Sequence, residues 1–119
     1  VVMIKDNHIK AAGSITEAVK RVKNKYNNLY KIEVETTSLE EVVEALAAHA
    51  DIIMLDNMDD NTMATAVQLI NKNAITEASG SITIERLKQI GEIGVDYISS
   101  GALTHSVTAL DISANIINL

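Results

Sequence analysis

Residues 31–57 read KIEVETTSLEEVVEALAAHADIIMLDN, and two different periods follow one another in that stretch. Residues 31–36 alternate, with Ile32 and Val34 on one side and Glu33 and Glu35 on the other, which is the period of a strand. Ser38-Leu39-Glu40-Glu41 then fits a capping box, and Leu39, Val42, Val43 and Leu46 follow at the spacing of one helix face. Residues 51–57 close the unit with an apolar run that ends in Asp56 and Asn57. Strand, helix and strand in this order predict two parallel strands joined by a right-handed crossover.

The same unit repeats on both sides. Residues 1–5, 74–79 and 95–100 are further short runs of strand character. Ser14-Ile15-Thr16-Glu17 is a second capping box, followed by Ile15, Ala18, Val19 and Val22 on one helical face. Asp59 or Asp60 can cap a third helix carrying Met63, Val67 and Ile70. Thr83 can cap a fourth carrying Leu87 and Ile90, with Gly94 as its stop, and residues 107–118 predict a short helical tail. The order is βαβαβαβαβ, an α/β fold with parallel strands. Two architectures fit it, a doubly wound sheet or part of a βα barrel. A complete barrel takes typically ~250 residues, so five strands in 119 residues amount to about half of one. No GxGxxG follows the first strand and no P-loop is present, which weakens the nucleotide-fold alternative.

Composition narrows the function. The 119 residues are one domain's worth, 47% hydrophobic and 22% charged, which is ordinary for a folded chain. No apolar run approaches the ~18 residues of a membrane span. Without cysteine there are no disulfides, zinc-thiolate sites or cysteine nucleophiles. A net charge of -6, with neither Trp nor Phe, argues against nucleic-acid binding. No signal peptide or lipidation motif is visible, and the expected compartment is the cytoplasm. The abrupt apolar start at Val1 and the nearly aromatic-free core read as a piece of something larger.

In parallel α/β folds the site lies at the C-terminal ends of the strands. Four successive predicted strands end in Lys5, Glu35, Asp56 and the pair Glu77/Ser79. Polar residues at strand ends can simply mark the approach to water, but Lys, Glu and Asp are poor strand formers. Ser79-Gly80-Ser81 and Ser99-Ser100-Gly101-Ala102 follow the last two strands. Such loops are either ordinary turns or backbone nests for an anion, and barrels commonly hold phosphate after their last two strands.

Ile4-Lys5-Asp6-Asn7-His8-Ile9, Ile32-Glu33-Val34-Glu35, Ile53-Met54-Leu55-Asp56-Asn57, Glu77-Ala78-Ser79-Gly80 and Ser100-Gly101-Ala102-Leu103-Thr104-His105-Ser106 occur in this order. Together they resemble the C-terminal barrel portion of quinolinate phosphoribosyltransferase, over almost the whole chain. Ser81 stands where many members carry glycine. The resemblance implies that residues 1–119 are the C-terminal part of the α/β barrel domain, with an N-terminal domain and the first barrel strands outside them.

It also implies a reaction: transfer of phosphoribosyl from phosphoribosyl pyrophosphate to quinolinate, with decarboxylation to nicotinate mononucleotide, CO2 and pyrophosphate, in de novo NAD synthesis with Mg2+. By that resemblance Lys5, Glu35 and Asp56 are catalytic, and Glu35 and Asp56 are also the Mg2+ candidates, directly or indirectly. Ser79, Gly80, Ser81, Ser100, Gly101, Ala102 and His105 would bind the phosphate. Asn7 and His8 would orient a loop, and Glu77 is a secondary candidate. Glu33 reads as structural and deeper, and His49 as a surface residue late in a helix. Arg21 and Arg86 fall on predicted helices away from the strand ends, so the arginine clamp that a dicarboxylate wants is expected from outside the chain. In the family it comes from earlier barrel elements and a partner subunit, which implies a homodimer or higher homo-oligomer. Two alternatives stand beside this reading. One is a catalytically incomplete half-barrel that binds phosphate and self-associates through open sheet edges. The other is a nicotinate phosphoribosyltransferase-type barrel.

Overall fold

The computed structural model describes residues 1–80 and 82–99. The expectations at Ser81, Ser100, Gly101, Ala102, His105 and the tail helix lie outside the described residues. The elements are β1 (Val2–Ile4), α1 (Asp6–Ala12), α2 (Ile15–Tyr26), β2 (Ile32–Thr36), α3 (Leu39–Ala47), β3 (Ile52–Asp56), α4 (Asp60–Ile70), β4 (Ile75–Ser79), a 3-10 turn (Ile84–Arg86), α5 (Leu87–Ile93) and β5 (Tyr97–Ser99). Among the described residues no helix is long and apolar enough to cross a membrane.

The sheet order is β1-β2-β3-β4-β5, and every neighbouring pair is parallel. Each strand therefore bonds to the next in the chain, with no reversal of direction. A doubly wound sheet requires such a reversal to place helices on both faces. Here consecutive helices pack against one another in a single layer, from α1 to α5. The arrangement is that of an arc of a βα barrel.

Strand parity sorts the residues. Ile4, Ile32, Val34, Ile53, Leu55 and Ala78 face the helices and form the core with Ile15, Val19, Val42, Met63, Ala66, Ile70 and Ile90. The opposite face, on which none of the described helices packs, carries Met3, Glu33, Glu35, Ile52, Met54, Asp56, Glu77 and Ser79. The continuous apolar run of β3 follows from burial on both of its faces, with Ile52 and Met54 buried on the side opposite the helices.

Three of the four predicted N-caps form where the sequence puts them. Ser14 Oγ accepts from Glu17 N at 3.0 Å, and Ser38 Oγ accepts from Glu41 N at 3.2 Å. The choice between Asp59 and Asp60 resolves to Asp59, whose Oδ1 accepts from Thr62 N at 2.7 Å. Gly94 ends α5 at φ 100. Thr83 makes no side-chain cap, and a 3-10 turn separates it from α5.

Two expectations change. Residues 6–12 form helix α1 rather than a turn. Its start is held by His8, whose Nδ1 accepts from Lys5 N at 3.0 Å, a cap no Ser, Thr, Asp or Asn announces. The last strand is shorter than residues 95–100 within the described span, beginning at Tyr97, because Asp96 is used differently. Its Oδ2 accepts from Thr76 N at 2.9 Å and from Thr76 Oγ1 at 3.1 Å. Asp51, just before β3, does the same for Ile32 N at 2.8 Å. An acid preceding one strand thus satisfies an amide at the start of the strand bonded before it.

Replacing Asp51 or Asp96 by Ala leaves those amides without their acceptor and is expected to destabilise the full-length protein by about 1 kcal/mol each. Replacement by Asn, which keeps an oxygen, should cost less. Unfolding midpoints in urea check this; an Ala variant as stable as the parent would show that water replaces the acid at no cost.

Candidate active site

The register sets the residues of the inner face in rows. Asp56 pairs with Ser79, and Ser79 with Ser99, so these three side chains stand together at the C-terminal strand ends. One row deeper lie Glu35, Met54, Glu77 and Tyr97. Deeper again are Met3, Glu33, Ile52 and Ile75. Lys5 follows β1 directly and is exposed at the rim. Glu35 and Asp56 are half-buried. Lys5, Glu35, Asp56 and Ser79 therefore share the C-terminal end of the face opposite the helices, with Asp56 level with the serines and Glu35 one row deeper.

Glu77 is not at the mouth. It is 2% exposed and meets Glu33, itself 1% exposed, from the other side of β3. Two buried carboxylates cannot both ionise cheaply. Burial pushes the Glu33 carboxyl up to about 8, helped by the hydrogen bond and the charge of Glu77 and by the charge of Glu35. At neutral pH Glu33 keeps its proton and donates it to Glu77. Among the described residues Glu33 Oε2 and Glu77 Oε1 are buried without a hydrogen-bond partner, so neutralising one carboxyl lowers the cost of keeping the pair in the interior.

The loops after β3 and β4 are knitted together. Asn57, at φ 52, donates its backbone N–H to Ser79 O at 3.0 Å. Gly80 has φ 113, and a Cβ there would collide with Asn57 Oδ1 and lie 2.8 Å from Asn57 Cγ. The close approach allowed by this glycine is, within the chain, that of Asn57. Arg86 is a correction. It lies at the site's end of the sheet, with Nη2 2.6 Å from Asp60 Oδ1 and 3.4 Å from Met58 O. It fastens the segment after β4 to the segment after β3. Neither the Asn57 contact nor the Arg86 strap is visible in sequence, since both depend on strands that the register brings together.

Asn7 and His8 are exposed in the first turn of α1, and only His8 has a defined task, holding Lys5 N. His49 is exposed just beyond the end of α3. Arg21 is exposed and paired with Glu17 at 3.4 Å. Among the described residues no three acid or histidine side chains converge on a metal position. Glu35 and Asp56 offer two carboxylates on one face, which suits Mg2+, an ion that often takes one or two carboxylates and completes its shell with water and substrate phosphate.

Comparison with known proteins gives a consistent result. The family described as "Quinolinate phosphoribosyl transferase, C-terminal domain" matches residues 1–115. A protein of Synechocystis named "Probable nicotinate-nucleotide pyrophosphorylase [carboxylating]" is 51% identical over 119 residues, covering 98% of the chain and 40% of that protein. A Bacillus subtilis protein of the same name is 49% identical over 115 residues, covering 97% of the chain and 40% of its own length. The crystal structure of nicotinate-nucleotide pyrophosphorylase from Ehrlichia chaffeensis superposes with a TM-score of 0.83 at 40% identity, over 88% of this chain and 38% of that one. The chain thus spans about 40% of the length of the curated relatives it matches.

The Glu33–Glu77 pair generates a pH dependence opposite to that of ordinary carboxylates. Glu33 is raised from 4.5 to about 8 in the fold. The folded state then binds the extra proton, so its contribution is fully present below pH ~4.5 and is lost as pH rises towards ~8. Unfolding midpoints of the full-length protein between pH 5 and 8.5 should fall by an amount that Glu33→Gln abolishes. A Gln there keeps a donor to Glu77 at every pH. An identical pH slope in parent and variant would show that Glu33 is ionised in the fold.

Proposed function

The chain belongs to the family of quinolinate phosphoribosyltransferase C-terminal domains, and from that membership we propose that the full-length protein transfers phosphoribosyl from phosphoribosyl pyrophosphate to quinolinate. Decarboxylation then gives nicotinate mononucleotide, CO2 and pyrophosphate, for NAD synthesis in the cytoplasm. Residues 1–119 act as the C-terminal part of its barrel domain. One observation carries the reading: Asp56, Ser79 and Ser99 form a row at the strand ends, with Glu35 one row below and Lys5 at the rim.

Breaking the anomeric bond develops positive charge on the ribose ring. Preorganised carboxylates beside it stabilise that charge without reorganising, and this role is assigned to Glu35 and Asp56. They can also hold ribose hydroxyls. Lys5 supplies a point charge for the anionic substrates. Ser79 and Gly80 begin the phosphate cradle, and Ser81, Ser100, Gly101, Ala102 and His105 complete it. His8 holds the start of α1 behind Lys5, and Asn7 is assigned with it to orienting this segment. Glu77 has its support role through Glu33. Mg2+, held by Glu35 and Asp56 directly or through water, would neutralise pyrophosphate charge.

Both arginines of the chain are engaged, Arg21 with Glu17 and Arg86 with Asp60. A bidentate grip on the two quinolinate carboxylates is therefore assigned to residues outside the chain, including a second subunit of a homodimer or higher homo-oligomer.

In the full-length protein Asp56→Asn is expected to lower kcat about a hundredfold, roughly 3 kcal/mol of barrier, with an unfolding midpoint near that of the parent. Glu35→Gln should act similarly, and the double variant should lose less than the product of the two if both serve one charge centre. Turnover measured as nicotinate mononucleotide release decides it. Near-normal turnover of Asp56→Asn would remove the carboxylates from the mechanism.

A further inference from the structure

We propose that Asn57 is a positioning residue that locks the phosphate-binding loop after β4 to the carboxylate Asp56. The proposal rests on the functional reading above and adds a residue to which that reading gives no role. Asn57 follows Asp56 immediately, so whatever fixes Asn57 fixes the end of β3. Two features among the described residues join it to the next loop. Its N–H bonds to Ser79 O at 3.0 Å, beyond the ladder residues of β3. Its side chain fills the space that a Cβ on Gly80 would need, with Oδ1 in the way and Cγ 2.8 Å from that point.

The backbone geometry agrees. Asn57 sits at φ 52 and Gly80 at φ 113, two left-handed positions facing one another across neighbouring loops. Asn tolerates that region better than most side chains, and Gly80 tolerates both the angle and the intruding amide. A glycine in a phosphate loop is ordinarily explained by the approach of the anion. At Gly80 the approaching group is the amide of Asn57. The backbone of residues 79–80 and the carboxylate of Asp56 are thereby held as one piece. A ribosyl phosphate bridges these two points, so its fit depends on the distance that Asn57 sets.

The test uses the full-length protein and Asn57→Gly, which removes the side chain while permitting φ 52. A purely structural Asn57 would lower the unfolding midpoint and leave the Michaelis constants alone. The proposal expects the reverse split. KM for phosphoribosyl pyrophosphate and Kd for inorganic phosphate, the latter by calorimetry, should rise about tenfold. KM for quinolinate should hold. Parental values for both phosphate readouts in Asn57→Gly would overturn it. A stability cycle checks the contact itself. Gly80→Ala should cost less in the Asn57→Gly background than in the parent, because the collision with Oδ1 is gone; an equal cost in both backgrounds would overturn the proposed lock. If the parent binds phosphate but does not convert quinolinate, the functional reading fails, while the phosphate readouts and the cycle still decide the role of Asn57.

Discussion

Parallel bonding of each strand to the next strand in the chain is the constraint from which the remaining structure follows. With right-handed crossovers and no reversal of order, all connecting helices have one face of the sheet to occupy. They fill it in sequence, and the aliphatic core of Ile4, Val34, Ile53 and Leu55 lies under them. The other face is left for side chains that helices would have excluded. Because all five strands run the same way, their C-terminal ends gather at one rim. Asp56, Ser79 and Ser99 become neighbours there although each comes from a different βα unit.

The inner face is strongly acidic, with Glu33, Glu35, Asp56 and Glu77 on three adjacent strands. Depth separates their chemistry. Glu35 and Asp56 are half-buried, so water reaches them and each charge stays solvated. The buried carboxyls Glu33 and Glu77 would repel if both were charged, and burial, the hydrogen bond to Glu77 and its charge raise Glu33 towards the protonated form. Glu33 and Glu77 are thus a buried carboxyl pair on the same face as the half-buried Glu35 and Asp56.

Much of this was legible in the sequence. The alternation of Ile32, Glu33, Val34 and Glu35, the Ser14 and Ser38 caps, and the aliphatic stripes gave each long element its type, because periodicity and capping are local. Parity also put Glu35 and Asp56 on one face. What escaped was non-local or chemically unadvertised. Helix α1 starts on a histidine cap, and the residues before it read as a strand end. Glu33 and Glu77 meet across β3, which no local pattern reveals. Arg86 looked remote because a helix was expected around it, whereas it lies in the 3-10 turn and reaches back to Met58 O and Asp60. The choice between barrel and doubly wound sheet also needed strand order, which periodicity does not encode.

The same neighbour-to-neighbour order bears on how the chain folds. Each strand finds its partner one βα unit away, so every pairing closes a loop of similar, modest length. Closure entropy grows only slowly with loop length, but a sheet with distant pairings must meet a large cost before any contact rewards it. Here a nascent strand always has its template already in place, and the acids before β3 and β5 tie a newly arrived strand to the amide of its predecessor. Such a topology lets structure grow by accretion, one unit upon the last, in the order in which a ribosome delivers the chain.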